Sequence, residues 1–200
     1  MRYAVSGKMG DLGIHTGAEE RAVLLLSGVR AGAGAGEALA LVGNWERFLW
    51  LVNEHGVAGF VKRNLAETGL SGVLPPTVFQ NLRNQAFKSI ARNSFIMSAL
   101  AEAVGVLNGA GIEPVLLKGT ALEVTVYGNS GLRPMSDADI LLPKEECMRG
   151  WRVLQAAGFV PLPFKSPLFW LIPLHVGKHL PSLIKGGFSL EIHHGLFWGK

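Results

Sequence analysis

Asp137 and Asp139 stand two residues apart in the stretch LRPMSDADILLP (132–143), directly ahead of an apolar run. On an extended strand, side chains at i and i+2 point the same way, with Cα atoms roughly 6.5–7 Å apart. Two carboxylates drawn to about 5.5 Å repel by about 3 kcal/mol at an effective dielectric of 20. A divalent cation cancels that repulsion and is held by both. Magnesium suits such oxygen ligands and leaves room for substrate phosphates. Ala138 and Ile140 fall on the opposite face, toward a core.

Glu191 is the natural third carboxylate. It lies in FSLEIHH (188–194), where Leu190 and Ile192 alternate with Glu191 and His193. If this strand lies beside the one carrying Asp139, the three acids face one another. Such a trio with two metal ions would activate an attacking hydroxyl and stabilise a leaving phosphate. The other half of a phosphoryl-transfer site is offered by LLKGT (116–120), an apolar strand passing through Gly119 into a helix start. Helix starts present free N–H groups to anions. Gly119 allows close approach, and Lys118 adds positive charge. Thr120 and Glu123 have capping-box spacing; Glu123 there would disfavour an unscreened phosphate.

Bland readings compete with each of these. The two aspartates also fit a solvated strand entry, and Glu191 fits an exposed hairpin position. Ser136 reads as a turn hydrogen-bonder rather than a nucleophile. Arg133 either steers a phosphate or pairs with a local acid. His175, His179, His193 and His194 raise the question of zinc. His193 and His194 point to opposite sides of a strand, however, so satisfied or surface histidines are expected, with His193 alone on the Glu191 face. The aromatic stretch 164–173 reads as core or interface.

The elements that must position these residues divide the chain. Residues 1–18 are glycine-rich and aperiodic, a loose tail. Residues 19–110 read as helical. EERAVLLLSGVR (19–30) opens a helix that the AGAGAG run (31–36) breaks. Asn44 caps the next helix, and Gly56 stops it with His55 at its end. Another short helix runs from Val57 to Leu65. A long helix follows LPPT (74–77), with an apolar stripe of Leu82, Phe87, Ile90, Met97, Leu100, Val104 and Leu107. Arg83, Lys88 and Arg92 fall on its solvated side. Residues 111–200 alternate strand and helix: a buried strand at 113–119, a helix ending at Gly128, a strand through the aspartates and a helix over 144–158. A hairpin turning at Lys185-Gly186-Gly187 completes the set.

The series LKGTAL, VYG, GLRPMSDADILL and LEIHH resembles the nucleotidyltransferase superfamily that includes DNA polymerase beta, and more narrowly the bacterial nucleotidyltransferase family 5. The resemblance covers Asn44 to the end of the chain. It implies an α+β fold, with a helical amino-terminal region leading into a nucleotidyltransferase palm of mixed sheet flanked by helices. Family members continue beyond the third acid, so the chain reads as truncated at its carboxy terminus. By resemblance, Gly119 and Thr120 match the corner that holds the nucleoside triphosphate, Asp137 and Asp139 the metal pair, and Glu191 the third acid. Lys118, Ser136 and Arg133 are further expected nucleotide contacts. The implied reaction moves a nucleoside monophosphate from an NTP, ATP by default, to an acceptor hydroxyl on a protein, RNA or small molecule. It uses two Mg2+ or Mn2+ ions. The alternative is a non-catalytic nucleotide-binding or regulatory module on a degenerate version of the same fold. Sugar-nucleotide glycosyltransferases and haloacid-dehalogenase-type phosphatases place the apolar strand before the acids rather than after them.

Bulk composition is compatible with all of this. Across 200 residues, 48% are hydrophobic and 17% charged, which excludes a disordered chain. A net charge of +4 suits an anionic ligand without demanding a nucleic-acid groove. Cys147, the single cysteine, excludes a disulfide framework and a cysteine-rich zinc site. No apolar run reaches the length of a membrane-spanning helix. The stretch 22–36 is a poor secretion signal because acids precede it and Arg30 interrupts it. A cytoplasmic protein without a membrane partner is the expectation.

Overall fold

The computed structural model describes residues 17–128, 131–162 and 179–196. Most of the predicted tail, His175 and the aromatic stretch 164–173 lie outside them. The chain opens with five helices: α1 (Ala18–Leu26), α2 (Ala35–Ala40), α3 (Trp45–Glu54), α4 (Ala58–Glu67) and α5 (Pro76–Gly109). Their signals are local. The Asn44 side chain accepts from Arg47 N at 2.9 Å and starts α3. Gly56, at φ 62°, lets the chain turn out of it. Pro76 sits in the first turn of α5, where its missing N–H costs nothing.

Two apolar clusters meet along α5. The first packs α1 to α4 against the start of α5, with Phe48, Leu65 and Leu82 fully buried. The second packs the end of α5 and helix α7 (Lys144–Ala156) on one face of the sheet. A single helix serving two cores cannot keep one stripe. Val78, Leu82 and Ala86 are buried, then Asn93, Ile96, Leu100, Ala103 and Leu107. Phe87 and Ile90, expected in the stripe, are exposed; Arg92 is on the solvated side as expected, and from there donates to Ser136 O at 3.0 Å. By length and composition alone, α5 is also long and apolar enough to cross a membrane, contrary to the expectation that no apolar stretch reaches that length.

The sheet runs β1-β2-β5-β4-β3. It comprises β1 (Val115–Leu117), β2 (Ala138–Leu141), β3 (Val160–Pro161), β4 (Leu183–Lys185) and β5 (Phe188–His193). Among the described residues only β2 and β5 pair in parallel; β1–β2, β3–β4 and β4–β5 are antiparallel. The architecture is the expected α+β one, helices first and a mixed sheet after. Gly186 and Gly187 both have positive φ and close the β4–β5 hairpin, as that tight turn requires. Strand β1 is an edge rather than the buried strand expected, with Val115 58% exposed. Helix α6 (Lys118–Leu122) follows β1 directly and widens into a π-type turn over Glu123–Tyr127 before Gly128 ends it.

Candidate active site

Alternation along β2 and β5 sorts the sheet into two chemistries. Ala138, Ile140, Leu190 and Ile192 are all fully buried beneath the helices. The residues between them, Asp139, Glu191 and His193, point to the other face. The parallel register sets Asp139 beside Glu191. Burying Ile140 and Ile192 therefore forces the two acids together, since a one-residue slip would expose the apolar set. The ligand atoms of Asp139, Glu191 and His193 all lie within 4.8 Å of one another. His193 Nε2 is 2.7 Å from Asp139 Oδ1 and 3.6 Å from Glu191 Oε2. Ser182 Oγ donates to Glu191 Oε1 at 3.3 Å.

Lys118 reaches into this cluster from the β1–α6 junction. Its Nζ donates to Asp139 Oδ1 at 2.5 Å and lies 4.0 Å from Glu191 Oε2. Burial works against its charge. The hydrogen bond to Asp139 and the fields of Asp139, Glu191 and Asp137 outweigh that and hold the ammonium above the ordinary lysine value. Lys118 is also the one non-glycine residue with positive φ among those described, at 48°. Left-handed backbone at a residue with a side chain costs on the order of 1–3 kcal/mol and collects at functional sites.

The remaining expected residues divide. Asp137 lies ahead of β2 rather than in it, and it is outside the Asp139–Glu191–His193 group. The strict i, i+2 projection therefore does not apply to it; its Oδ1 accepts from Ser136 Oγ at 2.8 Å. Gly119 sits beneath Arg133: a Cβ there would lie 2.8 Å from the guanidinium Nη1. Thr120 is buried, and its hydroxyl donates to Leu117 O at 2.8 Å. The expected capping box is not formed, because α6 starts at Lys118. Glu123 instead turns its carboxylate to Gly131 N at 2.8 Å. Its Oε2 is buried with no hydrogen-bond partner among the described residues.

This cluster can bind a divalent cation with two carboxylates and an imidazole, beside a cationic, glycine-containing turn. A family model described as an uncharacterised nucleotidyltransferase matches residues 42–200. The chain belongs to that family. A general nucleotidyl-transfer role comes with this membership. No curated protein and no solved structure matches the chain.

In this nucleotidyltransferase the residue that the sequence reading missed is Asn93. It is 2% exposed, in the middle of α5. Its Nδ2 donates to Arg133 O at 2.8 Å, and its Oδ1 accepts from Met135 N at 3.0 Å. Both ends of the amide are spent on the loop that carries Arg133 to Ser136 into β2. The available signal was phase: Asn93 lies three residues before Ile96 and seven before Leu100, in step with the buried stripe.

Proposed function

We propose that this protein transfers a nucleoside monophosphate from an NTP to an acceptor hydroxyl in a metal-dependent step. The observation that carries the reading is the β2–β5 register, which gathers Asp139, Glu191 and His193 on one face beside the Lys118–Gly119 turn. In the step, the acceptor oxygen attacks the α-phosphorus. A new P–O bond forms, the bond to the bridging oxygen breaks, and its electron pair departs with pyrophosphate. Bound Mg2+ or Mn2+, two ions in this reading, supplies charge neutralisation and activation of the hydroxyl. Asp139 and Glu191 hold the cations, with Asp137 joining from the loop when substrate is bound. Glu191, with 23% of its side chain exposed against 6% for Asp139, is the carboxylate better placed to take the hydroxyl proton. Lys118, Arg133 and the backbone at Gly119 and Thr120 engage the triphosphate, and Ser136 orients Asp137. ATP is the default nucleotide. The helical region 19–110 and the palm 111–200 are proposed as the two units.

A second reading, a nucleotide-binding or regulatory module without turnover, draws on one observation. Lys118 already supplies Asp139 and Glu191 with a cation from the chain itself. Melting curves with Mg2+ or Mn2+ and each NTP, run beside transfer of labelled nucleotide into a cell lysate, separate the two. The transferase reading expects metal-dependent stabilisation by NTP and label transfer, with both lost in Asp139→Asn. Stabilisation without transfer favours the module; neither effect sinks both.

A further inference from the structure

We infer that His193 binds the cation directly through Nε2, making the site a mixed nitrogen–oxygen one that favours Mn2+ over Mg2+. This inference rests on the metal-dependent reading above. It starts from β5, where Glu191 and His193 are two residues apart and so share a face, with Asp139 beside Glu191 on β2. Ligands on a common first-row cation lie about 2.0–2.2 Å from it, so they stand roughly 3–4.4 Å from one another. The observed separations of His193 Nε2 from Asp139 Oδ1 and Glu191 Oε2, 2.7 and 3.6 Å, lie within a few tenths of an ångström of that range. The ring is not free to wander: His193 is 6% exposed, and its ring packs 5.3 Å from that of His179. Asp137, the other acid of the pair, is absent from this tight set and is engaged by Ser136. The third donor beside Asp139 and Glu191 is therefore an imidazole. Imidazole suits first-row metals such as Zn2+, Fe2+ and Ni2+ best; Mn2+ favours oxygen donors but, as a first-row ion, takes a nitrogen more readily than Mg2+, which keeps to oxygen donors and water.

The competing role is a buried histidine that donates to Asp139 and merely orients it. Pulsed electron paramagnetic resonance on the full chain loaded with Mn2+ alone separates the two roles, because a directly bound imidazole nitrogen modulates the echo. The expected result is strong nitrogen modulation in the unsubstituted protein. His193→Gln, with unchanged circular dichroism, should lose that modulation and show a smaller Mn2+-over-Mg2+ preference, whereas a merely orienting histidine would weaken both ions alike. Bound Mn2+ with no nitrogen modulation in the unsubstituted protein overturns the inference and leaves nucleotidyl transfer standing. No Mn2+ or Mg2+ binding, with or without ATP, overturns both.

Discussion

Two asparagines are buried among the described residues, both on helices of the amino-terminal region, but one is bonded within that region and the other to the loop that enters the palm, and they do different work. Asn64, in α4, donates its Nδ2 to Leu26 O at 2.8 Å and Gly28 O at 2.9 Å, tying down the end of α1; its Oδ1 has no hydrogen-bond partner among the described residues. Asn93, in α5, uses both ends of its amide on the loop ahead of β2. A buried amide is worth its desolvation only if it is bonded, and leaving its partners unpaired costs about 1–3 kcal/mol. In the helical half that energy holds the helices to one another. In the palm it fixes where Arg133, Ser136 and Asp137 stand relative to Asp139. The same residue type therefore supports the fold in one region and the site's geometry in the other.

The sharpest way to break this comparison is to remove the two amides separately. Asn93→Leu should lower nucleotidyl transfer about 100-fold, since a displacement near 1 Å at a reacting centre costs that much, and weaken metal binding with it. Calorimetric metal titration and single-turnover transfer measure both. Asn64→Leu should lower unfolding free energy by about 1–3 kcal/mol while transfer, measured well below the melting temperature, stays unchanged. If both variants lose only stability, the distinction fails. A smaller effect is expected from Gly119→Ala. Its Cβ would press on the movable tip of Arg133 and touch the flexible Met135 side chain at 3.4 Å, so an off-rotamer shift should raise KM for NTP by about tenfold or less and leave the melting temperature alone.

Cys147 sharpens the contrast from within the palm. It is fully buried, and its thiol contacts the carbonyls of Leu142 and His193. Burial, helped by Glu145, pushes the thiol from 9.0 up to about 11. The folded protein thus favours the neutral thiol. The associated stability is whole below pH 9 and is lost as pH rises through 11. Alkylation at pH 8 should be slow until denaturant is added. Cys147→Ala should leave metal affinity intact, because the thiol touches backbone and no ligand atom.

What the sequence made legible was local or alternating. The Asn44 cap, the Gly56 stop, the Gly186-Gly187 hairpin and the shared face of Glu191 and His193 each follow from a few neighbouring residues. The register that brings Glu191 to Asp139 was a conditional expectation, and the structure meets the condition. Other features were hidden because they depend on two distant segments at once. Phe87 and Ile90 fit a helical stripe, but α5 changes partners midway and leaves them outside. Lys118 reads as a cation beside a glycine turn; that its ammonium also meets Asp139 emerges only when β1 and β2 pair. Asp137 reads as a strand residue because it stands two residues before Asp139 at the head of an apolar run, yet β2 starts one residue later. Asn93 was passed over because polar residues in amphipathic helices usually face water.

Helix α5 spans both apolar clusters and carries Asn93 between them. A twist of that rod by half a turn would swing the amide away from the loop it clamps. Anyone excising the palm as a minimal unit would have to begin the fragment ahead of Pro76, not after Gly109.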